Sequence, residues 1–357
     1  MLPDQQFWKG KKVLVTGHTG FTGAWLSIWL SQIGAKILGI SLGPNTSPSL
    51  FRLCEQDIGL ESLLCDVRNY GDLVDPFQSF SPDVVFHLAA QSLVVDGYRN
   101  PRETIATNVM GTCNILDLVR TFPSARAVVA VTTDKVYKPC VAHRPHVEED
   151  RLGGPDPYSA SKGAAELLIS SYADSFFADT NVSVVSVRAG NIIGGGDWAE
   201  ARIIPDALRS WVAREPLQLR RPNAVRPWQH VLEPVAAYIG LAESIWSAKP
   251  MNRAYNIGPR AEDSVSVLEL VKLAATAFGD CANINTEAAS SDFAENTLLT
   301  LDSSLISEDY GYKQRWSIEA AINATVAWYK GFYQGGNPYE LCLSDIASFS
   351  DMGNNTF

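Results

Sequence analysis

Apolar positions along the chain fall into short continuous runs separated by longer stretches with helical spacing. The runs at Val13–Thr16, Lys36–Ser41, Leu63–Asp66, Val84–Leu88, Ala127–Thr132 and Val182–Arg188 are strand-length and rich in β-branched residues. Between them, residues 21–33, 69–79, 101–122 and 158–178 carry apolar side chains at the spacing of a helix with one buried face. Such alternation predicts right-handed βαβ units, hence an α/β fold with a doubly wound parallel sheet. The runs at 84–88 and 127–132 are almost wholly apolar, as expected of strands covered on both faces.

After about residue 189 the rhythm loosens. Gly194-Gly195-Gly196 is expected to be a flexible loop, followed by a helix over Ile203–Arg214, a short strand near 217–219 and an arginine-rich segment. A helix over Glu233–Ser247, a strand at Ala254–Ile257 and helices over Val267–Phe278 and Ile318–Tyr333 complete the pattern. The tail, with Gly335-Gly336 and Asn354-Asn355, is expected to be loosely held. These elements predict a dinucleotide-binding domain over 1–188 and a smaller, discontinuous substrate lobe over 189–357. Segments are expected to cross back between them, leaving a cleft.

The first run ends on glycine: Val15-Thr16-Gly17-His18-Thr19-Gly20-Phe21-Thr22-Gly23, after which Trp25, Leu26, Ile28, Trp29 and Leu30 set a helical repeat. A strand feeding a glycine turn that opens a helix suits a pyrophosphate, because the backbone turns tightly and free N–H groups stand at the helix start. Glycines also serve ordinary turns, so the motif gains meaning only from its context.

Composition narrows the classes. With 46% hydrophobic and 19% charged residues the chain can bury a large core, which argues against disorder. A net charge of −10 argues against a general nucleic-acid binder, though not against an anionic small substrate held by local arginines. No apolar run approaches the roughly 18 residues of a membrane span, and Met1–Gln5 lacks signal-peptide form. The six scattered cysteines contain no CxxC pair, so reduced thiols in the cytoplasm and no metal site are expected.

Candidate chemistry gathers where strands end. Tyr158 and Lys162, four apart at the start of a predicted helix, share a face. A lysine near a phenol favours the phenolate, which could act as a general base toward a sugar hydroxyl; a surface tyrosine beside a solvated lysine is the plainer alternative. Thr132-Thr133-Asp134-Lys135 closes one strand, and Asp66 follows another, where it could meet an adenine amino group or cap a helix. His87-Leu88-Ala89-Ala90-Gln91-Ser92 ends a strand in small residues that permit close approach to a cofactor, or close packing of a loop. Arg188, Arg202, Arg220, Arg221 and Arg226 concentrate positive charge in the second half, suiting a diphosphate if they are not simply solvated. His230 reads as a structural histidine as readily as a ligand.

The glycine turn, the Thr-Asp strand end and the Tyr158/Lys162 pair together resemble the extended short-chain dehydrogenase/reductase family, over nearly the whole chain, and within it the nucleotide-sugar 4,6-dehydratases. Gly17–Phe21, Thr133–Tyr137, Arg188–Trp198 and Arg226–Pro234 resemble the branch acting on CDP-glucose. The resemblance implies a Rossmann-type fold, a homodimer, a redox-neutral lyase and a place in deoxysugar synthesis of the O-antigen or lipopolysaccharide kind. It implies NAD held by Gly17, His18, Gly20, Phe21, Thr22, Gly23, Asp66, Val67, Leu88, Ala89, Ala90, Tyr158 and Lys162. On the substrate side it implies Gln91, Ser92, Thr133, Asn191, Arg202, Arg226 and His230. Tyr158 would take the proton of the sugar 4-hydroxyl, Lys162 would tune it, Thr133 would hold the 4-oxygen and Asp134 would protonate the departing 6-hydroxyl.

Two positions depart from the pattern. Lys135 stands where the wider dehydratases carry a glutamate that removes the C5 proton, so it is expected either to be a base of depressed pKa or to stabilise the enolate by charge. No carboxylate stands in Gly39–Gly43, roughly 20 residues after the turn, to grip the adenosine ribose. His18 is expected to crowd the pyrophosphate or that ribose and so loosen NAD. A nucleotide-sugar 4-epimerase is the nearest rival reading, and a non-catalytic NAD-sensing protein the rival from another class.

Overall fold

In a computed structural model of the chain, the structure describes residues 2–139, 144–219, 221–279, 282–285 and 298–351. Seven parallel strands form the central sheet: β1 (Lys12–Thr16), β2 (Lys36–Ser41), β3 (Glu61–Leu64), β4 (Val84–His87), β5 (Ala127–Val131), β6 (Ser183–Ala189) and β7 (Ala254–Ile257). Their order is β7-β6-β5-β4-β1-β2-β3, a Rossmann-type arrangement. Val13 pairs with Ile37 on one side and Val84 on the other, so the winding reverses between β1 and β4. A crevice opens at the carboxyl ends of strands at such a reversal.

Side chains alternate across the sheet and fill two cores. Val13, Val15, Val84, Phe86 and Val129 face one, while Leu14, Val85, Val128 and Ala130 face the other. The first core is roofed by α1 (Phe21–Gln32), α2 (Leu50–Ile58), α9 (Leu232–Ser247) and α12 (Ile318–Tyr333). The second is roofed by α3 (Tyr70–Phe80), α6 (Gly111–Thr121) and α7 (Pro157–Ser175), with α4 (Val94–Arg99) and α5 (Pro101–Ile105) beside them. The other helices are the short Gln5–Trp8 turn before β1, α8 (Ile203–Val212), α10 (Val267–Phe278), α11 (Ser304–Tyr310) and α13 (Pro338–Asp351). Helix α1 is buried on every side from Gly23 to Leu30, because sheet and helices enclose it.

Several expectations need correction. The third strand lies two residues earlier than its apolar residues suggested: it is a half-exposed edge, with Leu64 in solvent. The single helix expected over 101–122 is α5, a π-turn over Ala106–Met110 and α6. There Asn108 turns inward, accepting from Gln91 N at 2.9 Å and donating to Ser161 Oγ at 2.8 Å. Gly194–Gly196 is packed rather than flexible. Trp25 Nε1 donates to Gly195 O at 2.9 Å, and a Cβ on Gly195 would stand 2.1 Å from Trp328. The chain after Gly335-Gly336 is held as well: α13 buries Cys342, Ile346 and Phe349, and Arg315 donates to the carbonyls of Phe349 and Ser350 at 2.8 Å each. Asn354-Asn355 lies outside the described residues, as does Arg220. Beyond residue 189 the chain returns to the sheet, adding β7 at its edge and α9 across it.

Candidate active site

The turn after β1 is shaped for an anion. Gly17 has φ +79°, a conformation that favours glycine, and a Cβ there would stand 2.7 Å from Ala89 N. A Cβ on Gly23 would stand 2.1 Å from Gly17 O, so α1 begins pressed against the turn itself. Gly20 caps α1 without a side-chain bond, leaving the first-turn N–H groups of Phe21, Thr22 and Gly23 for an incoming acceptor. Thr16 Oγ1 meets His87 Nδ1 at 2.7 Å and accepts from Ala89 N at 3.2 Å, which fixes Leu88-Ala89-Ala90 beside the turn. Val67 is buried against Gly111. The Asp66 carboxylate is gripped by Arg68 Nε at 2.8 Å and also accepts Arg68 N at 2.9 Å, so it closes a local turn instead of capping α3.

His18 does not line this cradle. Its ring is fully buried beneath β2, where a Cβ on Gly39 would stand 2.4 Å from it. It meets Phe51 edge-on at 4.9 Å and Ser62 Oγ at 2.8 Å. Burial lowers it to about 4, so it is neutral. The expected crowding of a pyrophosphate by this side chain is therefore corrected: the ring fills the space under Gly39. At the end of β2, Thr19 Oγ1 lies 2.8 Å from Ser41 Oγ and donates to Leu42 O, where a ribose-gripping carboxylate was missing.

Across the crevice, β5 ends at Val131 and α7 begins at Pro157, with Asp156 accepting Ser159 N at 3.0 Å as its cap. This places Tyr158, 7% exposed, within hydrogen-bonding reach of Thr133. Thr133 Oγ1 lies 3.0 Å from Asp134 Oδ1, and Lys135 Nζ lies 3.2 Å from the same oxygen. Asp134 is 1% exposed and its Oδ2 has no partner among the described residues. A buried carboxylate oxygen left open beside a threonine and a tyrosine is free to accept from a bound hydroxyl.

The electrostatics differ from expectation at both lysines. Burial raises the Tyr158 phenol above its ordinary value, against the pull of Lys135 and Thr133. Lys162 Nζ donates to Val131 O at 2.9 Å, and burial lowers it to about 8 while Glu166 draws it back up. Lys135 first and Arg202 second are the cations that act on the phenol, where Lys162 was expected to tune it, and Lys162 is bonded to Val131 O. For Lys135, burial works against the charge, but Asp134 and Tyr158 outweigh it and hold the ammonium above its ordinary value. The direction is upward, which favours the charge-stabilising role for Lys135 over a base of depressed pKa. Arg202, 3.4 Å from Asp197, also acts on Tyr158, and buried Arg226 acts on Lys135.

The remaining substrate-side candidates divide. Asn191 Oδ1 is buried without a partner among the described residues, and Ser92 is exposed at the rim. The Gln91 amide is consumed locally by Leu93 and by Thr104, each bonded by its Nε2 at 3.0 Å. His230 is fully buried between Trp316 at 4.7 Å and Trp25 at 5.9 Å, and burial lowers it to about 3. Both are corrected to structural residues, as is Arg188, whose guanidinium pairs with buried Glu166 at 2.7 Å. A cavity of about 270 Å³ lined by Glu148, Glu166, Ser186, Arg188 and Arg253 includes none of Thr133, Asp134, Lys135, Tyr158 or Lys162. The strand-end candidates therefore lie apart from that cavity. Among the described residues no group of His, Cys, Asp or Glu could hold a metal ion.

A family model described as the NAD dependent epimerase/dehydratase family matches residues 13–258. The chain belongs to that family. It is 41% identical to a CDP-glucose 4,6-dehydratase of Salmonella typhimurium, over 97% of this chain and 98% of that one. It is 29% identical to a dTDP-glucose 4,6-dehydratase of Streptomyces griseus, over 89% and 93%. The fold also matches a dTDP-glucose 4,6-dehydratase of Streptomyces venezuelae solved with NAD bound, at TM-score 0.78, covering 92% of this chain and 99% of that one at 21% identity.

Sequence reasoning missed Glu166, named Thr132 only as part of the strand end, and left Arg188 open between a diphosphate partner and a solvated side chain. Glu166 was within reach: it follows Lys162 by four residues, on the same helical face as the Tyr158/Lys162 pair.

Proposed function

We propose that the protein is a CDP-glucose 4,6-dehydratase, a hydro-lyase that uses bound NAD and releases CDP-4-keto-6-deoxy-D-glucose and water. The observation that carries the reading is the open, buried Asp134 carboxylate beside Thr133 and Tyr158, in a chain 41% identical to a protein of that name. Bound NAD would supply the hydride acceptor for oxidation at sugar C4 and the hydride donor for reduction at C6. The Gly17–Gly23 turn and the uncapped start of α1 fit its pyrophosphate, Asp66 the adenine amino group and Lys162 the nicotinamide ribose.

Thr133 and Tyr158 hold the sugar 4-hydroxyl, and Tyr158 removes its proton as C4 is oxidised. The C4 ketone acidifies the C5 proton, which passes to solvent water in the open crevice, and the Lys135 cation stabilises the enolate oxygen left behind. Asp134 protonates the 6-hydroxyl so that it departs as water. An epimerase needs the first step alone and has no use for an acid beside Thr133, which favours the dehydratase. Asn191, Arg202 and Arg226 are assigned to the nucleotide-sugar, with the arginines on the diphosphate.

We further infer a homodimer, because Ile105, Met110 and Leu167 are exposed apolar side chains on helical segments packed against one another. The free thiols of Cys54, Cys65, Cys113 and Cys342 suit the cytoplasm. Incubation with CDP-glucose deuterated at C4 tests the chemistry. The reading expects deuterium at C6 of a 4-keto-6-deoxy product by NMR. Product epimeric at C4, or turnover of dTDP- or UDP-glucose in preference, would replace it.

A further inference from the structure

Tyr158 and the Thr133–Lys135 turn belong to different elements, so their separation is fixed by contacts between the helix α7 and the end of β5. One buried ion pair touches the turn at each end. The Glu166 carboxylate, on α7, meets the Arg188 guanidinium, on β6, at 2.7 Å, with neither side chain more than 5% exposed. Upstream, Thr132 Oγ1 donates to Glu166 Oε1, and Ser186 Oγ donates to Glu166 Oε2 at 2.7 Å. Downstream, Arg188 Nη1 donates to Tyr137 Oη at 2.8 Å, and Tyr137 donates on to Asn256 Oδ1 at 2.6 Å. The guanidinium also lies over the Tyr137 ring, 5.1 Å from its centre. Residues 133–136 are strung between these two anchors.

Glu166 and Lys162 are one helical turn apart on α7, and both hold the end of β5. Lys162 takes the Val131 carbonyl and Glu166 takes the Thr132 hydroxyl. The helix that carries Tyr158 is thereby locked to the strand end that carries Thr133. A buried ion pair contributes little net stability, because desolvation offsets its attraction. What it does supply is geometry, since a carboxylate with three donors has one arrangement that satisfies it.

We propose that the Glu166–Arg188 pair is a positioning clamp that sets the Thr133–Asp134–Lys135 turn against Tyr158, acting through Thr132 and Tyr137. The inference rests on the dehydratase reading for its effect on rate, but its effect on the turn is independent of any substrate. Thr132 is the place to test it, because removing Glu166 or Arg188 would leave a buried charge alone.

Thr132→Val removes the hydroxyl at nearly constant shape, and Thr132→Ser keeps it. Amide exchange across 133–136, read by mass spectrometry on the full chain, is expected to quicken about tenfold in Thr132→Val. It should match the parent in Thr132→Ser. With CDP-glucose, kcat of Thr132→Val is expected to fall about tenfold to a hundredfold, since a misplacement near 1 Å costs that much, with KM within about threefold. Serine should restore it. Unchanged exchange in Thr132→Val, or a loss that serine does not restore, overturns the clamp. A parent protein inactive on CDP-glucose overturns the dehydratase reading instead, while the exchange comparison still decides the clamp.

Discussion

Lys162 is only 5% exposed, and burial lowers its pKa to about 8 from an ordinary 10.5. Between those two values the unfolded chain binds more protons than the folded one, so stability rises with pH across that window. Below pH 8 the whole cost of burying the ammonium is present. A gap of about 2.5 units at 1.36 kcal/mol each makes it about 3 kcal/mol. Lys162→Met keeps the length of the side chain and removes the charge. It also forfeits the bond to Val131 O, worth about 1 kcal/mol. The variant is therefore expected to be more stable than the parent by about 2 kcal/mol at pH 7, by about 1 kcal/mol at pH 9 and by nothing near pH 10. Turnover of CDP-glucose should be lost. Urea denaturation at the three pH values, with the m-value checked for constancy, measures the difference. A variant less stable than the parent at pH 7, with no trend in pH, would refute the burial argument.

Three further outcomes follow from other contacts. Gly23→Ala places a Cβ 2.1 Å from Gly17 O, so the start of α1 must retreat; NAD affinity by calorimetry is expected to fall at least about tenfold, and an unchanged Kd would remove the turn from the site. Lys135→Met removes the cation beside Asp134 and is expected to slow turnover about a hundredfold while solvent deuterium still enters C5 of the product. Parent-like turnover would show that the charge is idle. Asp345, raised to about 7 by burial alone, has an Oδ2 without a partner among the described residues. Its folded state holds a proton longer than the unfolded state, so stability falls as pH rises from 3.8 toward 7. Asp345→Asn should stabilise the protein at pH 8 by up to about 4 kcal/mol and leave it unchanged at pH 4; equal melting at both pH values would contradict this.

The sheet was legible because strands buried on both faces must be apolar, and β4 and β5 are buried at nearly every position. Edge strand β3 was misplaced for the converse reason: with three of its four residues exposed, nothing in its hydropathy marks its register. Helix α2 was missed although Leu50, Phe51, Cys54 and Ile58 make one buried face, since a nine-residue helix shows little more than a single repeat. In the site, the spacing of Tyr158 and Lys162 and the place of Thr133 after a strand were readable. Ring directions were not. His18 and His230 both sit in motifs, yet each turns into the core, because rotamers answer to tertiary neighbours such as Gly39 and Trp316. The partner of the Tyr158 phenol was hidden likewise, since Lys135 reaches it only when β5 and α7 meet.

The same meeting explains how an acidic chain can hold an anionic substrate. A net charge of −10 repels a diphosphate at long range, but at physiological salt that field fades over about 8 Å. Inside the crevice the balance reverses. Lys135 and Arg202 act on Tyr158, Arg226 acts on Lys135, and Asp134 is paired with Lys135. On the proposed reading, recognition would be short-ranged and geometric, through these cations and the unpartnered oxygens of Asp134 and Asn191, with little steering from afar. A glutamate in place of Lys135 would put a second carboxylate against Asp134 and remove one of these charges. On the proposed mechanism, the lysine at this position leaves a cation beside Asp134 and acts on the C5 step by charge.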